Sequence, residues 1–360
     1  MPYFTRTFAN PSSPHEAGCE AASAVEEART QVAALLGGQK SEVVFTSGAT
    51  ESNNLAILGA ARRHAKTGGT RRRLVTTSVE HKAVLGPMQH LAQNGWEVIT
   101  LPVDRFGVVD LKAAERAIDT ETLLVSVQAA NHEIGTIQPL REIAEVAHQR
   151  GALLHCDAAQ ACGKILIDVN QWNVDLLSLS GHKLYGPKGV GCLWLRGGPR
   201  RLPLEPLSFG GDQEGGLRPG TLPVQSIVGL GKACDLSRMS LPGELHRIEG
   251  LRDRLEESIL SSLPNITRNG ALESRIPGSC SLTFEGIEAE ALLANLPEVV
   301  VSTGSACESG TIEPSRVLRS IGLPGEAAFC TLRFCVGRFS TVEEVDRAIT
   351  LVIAACRTLS

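Results

Sequence analysis

The segment Ser180-Gly-His-Lys183 brings together a hydroxyl, an imidazole and an amine, three groups that can hold a ligand or attack one. An apolar run, Val174 to Leu177, leads into it, and a Gly/Pro-rich turn and a second apolar run, Val190 to Leu195, follow. Lys183 is therefore expected at the mouth of a strand. A lysine in so apolar a setting loses its proton more readily and becomes an imine-forming amine. A surface lysine beside a hairpin has the same local pattern, so other parts of the chain must decide between the two.

Three more polar clusters follow apolar runs. Ser47-Gly-Ala-Thr50 links Val43–Thr46 to a helical pattern. Backbone N–H groups there, with the Thr50 hydroxyl, would cradle an anion at a helix N-terminus; an ordinary N-cap by Ser47 or Thr50 fits the same residues. His155-Cys-Asp157-Ala-Ala-Gln160 offers a carboxylate that would cap a helix or face a protonated ring nitrogen. Glu80-His81 offers an imidazole that can stack on a flat ring or move protons. An amine, a carboxylate partner for a pyridinium, a phosphate cradle and a stacking imidazole are together the parts of a pyridoxal-phosphate site. In it Ala49, Thr50, Ser180 and His182 would hold the phosphate, and Gln160 would bond the ring oxygen. The run Ser302 to Ser315 adds Cys307 in a Gly/Ser-rich stretch, expected as an exposed loop between a strand at Val299–Val301 and a helix beginning near Glu313-Pro314.

The elements that would position these groups can be read from periodicity. Ala21, Val25, Ala28, Val32 and Leu35 form one helical face closed by Gly37-Gly38. Strands are expected at Leu74–Thr77, Val98–Leu101, Leu123–Val127 and Ala152–Cys156, with helices between them at Leu111–Ile118 and Leu140–Gln149. That alternation predicts an α/β fold with a mostly parallel central sheet, whose ligands gather at the carboxyl ends of the strands. Beyond residue 240 the texture changes to a long helix, Leu245–Leu263, and shorter strands at Cys280–Phe284 and Leu332–Val336, closed by a helix at Val342–Arg357. The expected organisation is a large cofactor domain, 1–240, and a smaller α+β domain, 241–360, carrying Cys307, with Pro242-Gly243 as the linker.

Composition narrows the function classes. The 360 residues are 42% hydrophobic, enough for a large core, and the net charge of −4 argues against a dedicated nucleic-acid surface. No stretch has the length of a membrane span, and the first residues lack a signal-peptide pattern. Ten cysteines without a Cys-x-x-Cys read as reduced thiols of a cytoplasmic protein, with no metal site.

In order along the chain, Asn10-Pro-Ser-Ser13, Thr46 to Asn54, Ser78-Val-Glu-His81, His155 to Gln160, Ser180 to Lys183, Arg218-Pro-Gly-Thr221, Ser302 to Cys307 and Arg333 to Arg338 resemble a cysteine desulfurase of the fold-type I, class V aminotransferase superfamily. The stretch after Cys307 resembles the long-loop branch, typified by the housekeeping iron–sulfur and nitrogen-fixation enzymes. The resemblance implies that Lys183 is the Schiff-base lysine, Asp157 the pyridinium partner, His81 the stacking acid/base and Cys307 the nucleophile that takes sulfur from L-cysteine as a persulfide. It also implies that Arg333 and Asn131 bind substrate. Thr221 would reach the phosphate of the other subunit of a homodimer. The sulfur acceptor would be an iron–sulfur scaffold, a tRNA-thiolation protein or a DNA-phosphorothioation protein.

Three departures from the family pattern bear on function. His132, in Asn131-His132-Glu133, stands where the family has the Asn that contacts the ring oxygen, which predicts an altered cofactor spectrum or pH profile. The family's opening strand, with its Asp-Asn-Ala-Thr-like run, would lie ahead of Met1; either the start is misassigned or the segment is absent, and absence is expected to weaken substrate affinity. The sequence stops at Ser360, where members that dock an iron–sulfur scaffold often carry a longer tail, so the scaffold is not singled out as the acceptor. A selenocysteine lyase, a class V enzyme with no use for Cys307, and a catalytically impaired scaffold subunit stay open as alternatives.

Overall fold

The computed structural model describes residues 2–303, 306–308 and 311–359; residues 306–308, 311 and 312 are described in their backbone. The chain divides into two compact units. The first holds residues up to Leu101, Leu111–Ala129 and Pro139–Pro242, and the second holds Pro102–Asp110, Ala130–Gln138 and Gly243 onward.

The first unit is built on a seven-stranded sheet. Its strands are β1 (Val43–Thr46), β2 (Arg73–Thr77), β3 (Glu97–Leu101), β4 (Thr122–Gln128), β5 (Leu153–Asp157), β6 (Leu176–Ser180) and β7 (Gly191–Leu195), in spatial order β1-β7-β6-β5-β4-β2-β3. The pairs from β3 across to β6 are parallel, and β7 runs antiparallel to both β6 and β1. This is the expected α/β architecture. Its central strands are buried along their whole length, as a sheet covered on both faces requires. Leu55, Ile57, Leu74, Met88, Leu124 and Leu193 are among the residues of its core. Leu140–Gln149 is a helix with the expected bounds, and the first long helix, Glu16–Leu36, ends on Gly37 at φ 71°.

The second unit carries β8 (Ile266–Arg268), β9 (Ser279–Phe284), β10 (Ser302–Thr303), β11 (Ala306–Glu308), β12 (Thr311–Glu313) and β13 (Thr331–Cys335). Four of them form an antiparallel sheet in the order β10-β13-β9-β8, and β11 pairs with β12 in a separate ribbon. Leu255, Ile259, Leu282, Phe284, Leu332 and Val352 lie in its core, and the closing helix runs Val342–Leu359.

Several local expectations are corrected. Pro242-Gly243 is not a loop. It lies inside one helix, Val224–Ser262, although the division between the units falls at that point. Proline's lost N–H removes one helical hydrogen bond without ending the helix. Val299–Val301 is not a strand; Ser302–Thr303 is, because Ser302 pairs with Arg333. The backbone around Cys307 is not open loop. Cys307 pairs with Ile312 in the β11–β12 ribbon, and the next helix starts at Arg316 with Ser315 as its cap. The strand before Lys183 begins at Leu176 and runs on to Ser180.

Candidate active site

In the first unit, β1 turns into the Ala49–Lys66 helix through Gly48. Gly48 is the N-cap at φ 148°, a conformation that side chains avoid, and no side chain caps the helix. The expected alternative, a cap by Ser47 or Thr50, is therefore not what forms. The first helical N–H groups are left for an incoming anion, which the helix dipole favours. Ala49 is half-buried and Thr50 is exposed. Glycine is also required opposite: a Cβ on Gly191 would stand 2.7 Å from Gly48 Cα and 2.3 Å from Leu179 O. Thr46 and Ser52 hydroxyls, 2.8 Å apart, hold the helix start to the end of β1.

Glu51 ties a distant segment to this helix start. One carboxylate oxygen accepts from Ser47 N at 2.7 Å and the other from Arg218 Nε at 3.1 Å. Although burial opposes it, these bonds and the Arg218 charge hold the Glu51 carboxyl below its ordinary range. Arg218-Pro-Gly-Thr221 is thereby fixed at the cradle, with Thr221 exposed.

β6 ends at Ser180, and Gly181–Lys183 forms one 3-10 turn. The Ser180 hydroxyl is 2.9 Å from His182 Nδ1 and borders the space beside Gly48. Burial, and then the charges of Lys183 and Lys188, push His182 below its ordinary value. Lys183 itself is exposed, not set in an apolar pocket within its unit. The flanking apolar strands are buried, but the 3-10 turn carries the lysine beyond their ends.

Asp157 is the last residue of β5 and is 6% exposed. Its Oδ2 accepts from Asn53 Nδ2 at 2.7 Å and its Oδ1 from Ala159 N at 2.9 Å. A carboxylate has about four lone-pair sites, so capacity for a further donor remains. Gln160 accepts from Lys164 Nζ at 2.6 Å.

His81 is the N-cap of the Lys82–Gln93 helix, and its Nδ1 accepts from Ala83 N at 3.1 Å. A neutral ring so bonded carries its proton on Nε2. The turn before it is fixed by Glu80, a fully buried carboxylate that accepts from Thr77 Oγ1 at 2.7 Å and Gln128 N at 2.9 Å.

Asn131, His132 and Arg333 meet in the second unit. Asn131 is buried, and its Oδ1 accepts from Glu133 N at 2.8 Å and Ile134 N at 2.9 Å. His132 Nε2 lies 3.4 Å from Glu133 Oε1. Arg333 donates to His132 O through Nη1 and to Ser302 Oγ at 3.2 Å through Nη2. Ser315 Oγ donates to the other Glu133 oxygen. One turn, Asn131-His132-Glu133, therefore holds Ser315 and Arg333, which follow the Cys307 ribbon, and Arg333 in turn holds Ser302 ahead of it. The side chain of Cys307 lies outside the described residues.

Burial drives the thiols of Cys156, Cys162, Cys192 and Cys280 well above the ordinary value, that of Cys234 to about 12 and that of Cys356 to about 11. None of these is a ready nucleophile.

Asn53 and Glu80 are positions that the sequence reading missed. Each is a polar residue on a buried face, and only its placement against Asp157 or Gln128 reveals its part. As a set, the uncapped helix start, the Ser180 hydroxyl and the buried, oriented Asp157 carboxylate match the phosphate and the protonated ring nitrogen of pyridoxal phosphate.

The model of the family described as Aminotransferase class-V matches residues 1–348. "Cysteine desulfurase IscS" of Rickettsia felis is 46% identical over 353 residues, 98% of this chain and 85% of that protein. A solved structure titled "NIFS-LIKE PROTEIN" superposes with a TM-score of 0.90 at 35% identity, covering 98% of this chain and 93% of the other. A second, titled "SspA in complex with cysteine", superposes with a TM-score of 0.82 at 36% identity over 94% of each chain. The chain belongs to the class V aminotransferases, a pyridoxal-phosphate-dependent fold family. Within them it is a member of the cysteine desulfurases.

Proposed function

We propose that this protein removes sulfur from L-cysteine, releasing L-alanine and leaving a persulfide on Cys307. The observation that carries this reading is Asp157, a buried carboxylate oriented by one donor on each oxygen at the end of β5. Bound pyridoxal phosphate supplies an electron sink for the carbon skeleton of the substrate. Ala49, Thr50, Ser180 and His182 hold its phosphate, with Thr221 reaching the phosphate of a second copy in a homodimer. Asp157 keeps the ring nitrogen protonated, and Gln160 and His132 bond the ring oxygen. Lys183 would be the amine that holds the cofactor. His81 stacks on the ring and moves a proton through Nε2, since its Nδ1 is engaged with Ala83 N.

Arg333 pairs with the substrate carboxylate, and Asn131 contacts substrate through Nδ2. The Cys307 thiolate attacks the substrate sulfur. A sulfur–sulfur bond forms, the carbon–sulfur bond breaks, and its electron pair stays with the substrate carbon, which is protonated to give alanine. The persulfide then passes sulfur to a protein acceptor serving iron–sulfur assembly, tRNA thiolation or DNA phosphorothioation. The setting is cytoplasmic; among the described residues no helix is long and apolar enough to cross a membrane.

The test is sulfide and alanine release from L-cysteine with a reductant, for the intact chain and for Cys307→Ala. Equal release of both products, lost in the variant, is expected. Release that survives the substitution overturns the persulfide step and favours a lyase acting on selenocysteine.

A further inference from the structure

Asn53 is fully buried in the second turn of the Ala49–Lys66 helix and touches no reacting atom in the chemistry derived above. Its Nδ2 donates to Asp157 Oδ2 at 2.7 Å, while Ala159 N donates to Oδ1 at 2.9 Å. One donor on each oxygen fixes the plane of the carboxylate as well as its position. Asn53 Oδ1, in contrast, finds no donor among the described residues. Turning the amide over would set that oxygen against the carboxylate, so the orientation cannot be exchanged. A buried amide with half its capacity unused is unfavourable in a core, and such exceptions concentrate at functional sites. A leucine of similar volume would fill the place without an orphan acceptor.

The neighbouring residue adds a constraint. Ser52 is bonded to Thr46 at 2.8 Å, so the helix start beside Gly48 and the Asn53 amide are fixed to the sheet together. One helix thereby sets the distance between the phosphate end and the ring end of the site.

We propose that Asn53 is a positioning residue: its amide holds the Asp157 carboxylate in place and in plane for the ring nitrogen of pyridoxal phosphate. The proposal rests on the assignment of Asp157 as the ring-nitrogen partner, and the test separates the two.

Apoprotein carrying Asn53→Leu, Asn53→Ala or Asp157→Asn would be titrated with pyridoxal phosphate, reading the dissociation constant, the absorption band of the bound cofactor and the melting temperature of the apoprotein. Both Asn53 variants should weaken cofactor binding roughly tenfold. Both should move the band in the direction that Asp157→Asn moves it, with the Asn53→Leu apoprotein melting no lower than the unsubstituted chain. If Asp157→Asn shifts the band while the Asn53 variants keep the original dissociation constant and band, Asn53 is a packing residue and the proposal is wrong. If Asp157→Asn leaves the band unmoved, the assignment of Asp157 fails and the proposal with it. Asn53→Ala adds no atoms, so it decides the matter where leucine prevents folding.

Discussion

Arg29 and Glu214 meet in a bidentate ion pair, at 2.8 and 2.6 Å, that closes the free edge of β1. The same Arg29 donates to Val43 O at 2.8 Å, and the same Glu214 accepts from Phe45 N at 2.7 Å. Two side chains thus take the place of a neighbouring strand. An edge left open is a template for unwanted pairing. Glu214 holds this position at φ 50° with its side chain 1% exposed, so the segment leading to Arg218 and Thr221 is anchored at a strained point. Removing one partner of a buried pair strands the other charge. Glu214→Ala should therefore lower unfolding free energy by about 3–5 kcal/mol. The double variant with Arg29→Ala should lose less than the sum of the two single variants, measured by urea unfolding. Strict additivity would show that the pair is not coupled.

The buried thiols predict a pattern of chemical labelling. Cys156, Cys162, Cys192, Cys234, Cys280 and Cys356 are buried, and desolvation raises each thiol. Alkylation of the folded protein at neutral pH should spare these residues and modify Cys19 and Cys335, which are exposed. Mass mapping after a short iodoacetamide pulse reads this directly. Modification of Cys192 in β7 before unfolding would contradict the burial that explains the sheet.

His155 predicts an acid limb in stability. It lies fully buried between Ser126 Oγ at 2.8 Å and Ser178 Oγ at 3.0 Å, and burial pulls it down to about 3. Its folded value lies below its unfolded one of about 6.5, so the unfolded chain binds the proton first. The stability linked to it is complete above about pH 6.5 and is lost as pH falls toward 3, at up to roughly 1.4 kcal/mol per pH unit. His148 has the opposite sign. Its bond to Asp175 raises it, so its contribution is present at low pH and fades as pH rises through its folded value. Urea unfolding between pH 7 and 4 should show the His155 slope, and His155→Gln should flatten it.

The backbone plan was legible because it follows from local periodicity. Leu140–Gln149 repeats its apolar residues at helical spacing, and the apolar run Leu123–Val125 marks β4, which is buried along its whole length. The motif residues fell where strands end, as at Ser180 and Asp157, and at Ser180 a Gly/Pro-rich turn marks that end. What was not legible depends on contacts between distant segments. Val299–Val301 has β-forming residues, but pairing with β13 starts at Ser302. Pro242 reads as a break, yet the helix continues through it. Lys183 stands beside apolar strands in sequence and is exposed in its unit, since a single 3-10 turn lifts it past them. Asn53 and Glu80 lie inside motifs of the sequence, but nothing there marks them as buried partners of other side chains. A buried polar residue declares itself only through its partner.

Ser315 and Glu133 predict how the Cys307 segment is held. Ser315 Oγ donates to Glu133 and accepts from Leu318 N at 3.2 Å, capping the Arg316–Ser320 helix. Losing a cap costs about 1 kcal/mol. Ser315→Ala should therefore change global stability little. It should lower the rate of alanine formation several-fold at saturating cysteine, because one end of the segment bearing Cys307 is released. Glu133→Gln, which keeps an acceptor for the serine, should retain most of the rate. Equal losses in both variants would mean that the Glu133 charge matters for another reason.

His132 carries a prediction of its own. Its ring lies 3.4 Å from Glu133 Oε1, and its carbonyl accepts from Arg333. The backbone contact survives any side-chain change, so His132→Asn should leave Arg333 in place and alter only the group offered to the cofactor. An imidazole and an amide offer the cofactor donors of different shape and reach. The absorption band of the bound cofactor should therefore differ between the unsubstituted chain and His132→Asn, while the KM for cysteine stays within about twofold because the Arg333 contact is intact. Identical spectra in the two proteins would show that the ring at position 132 does not touch the cofactor.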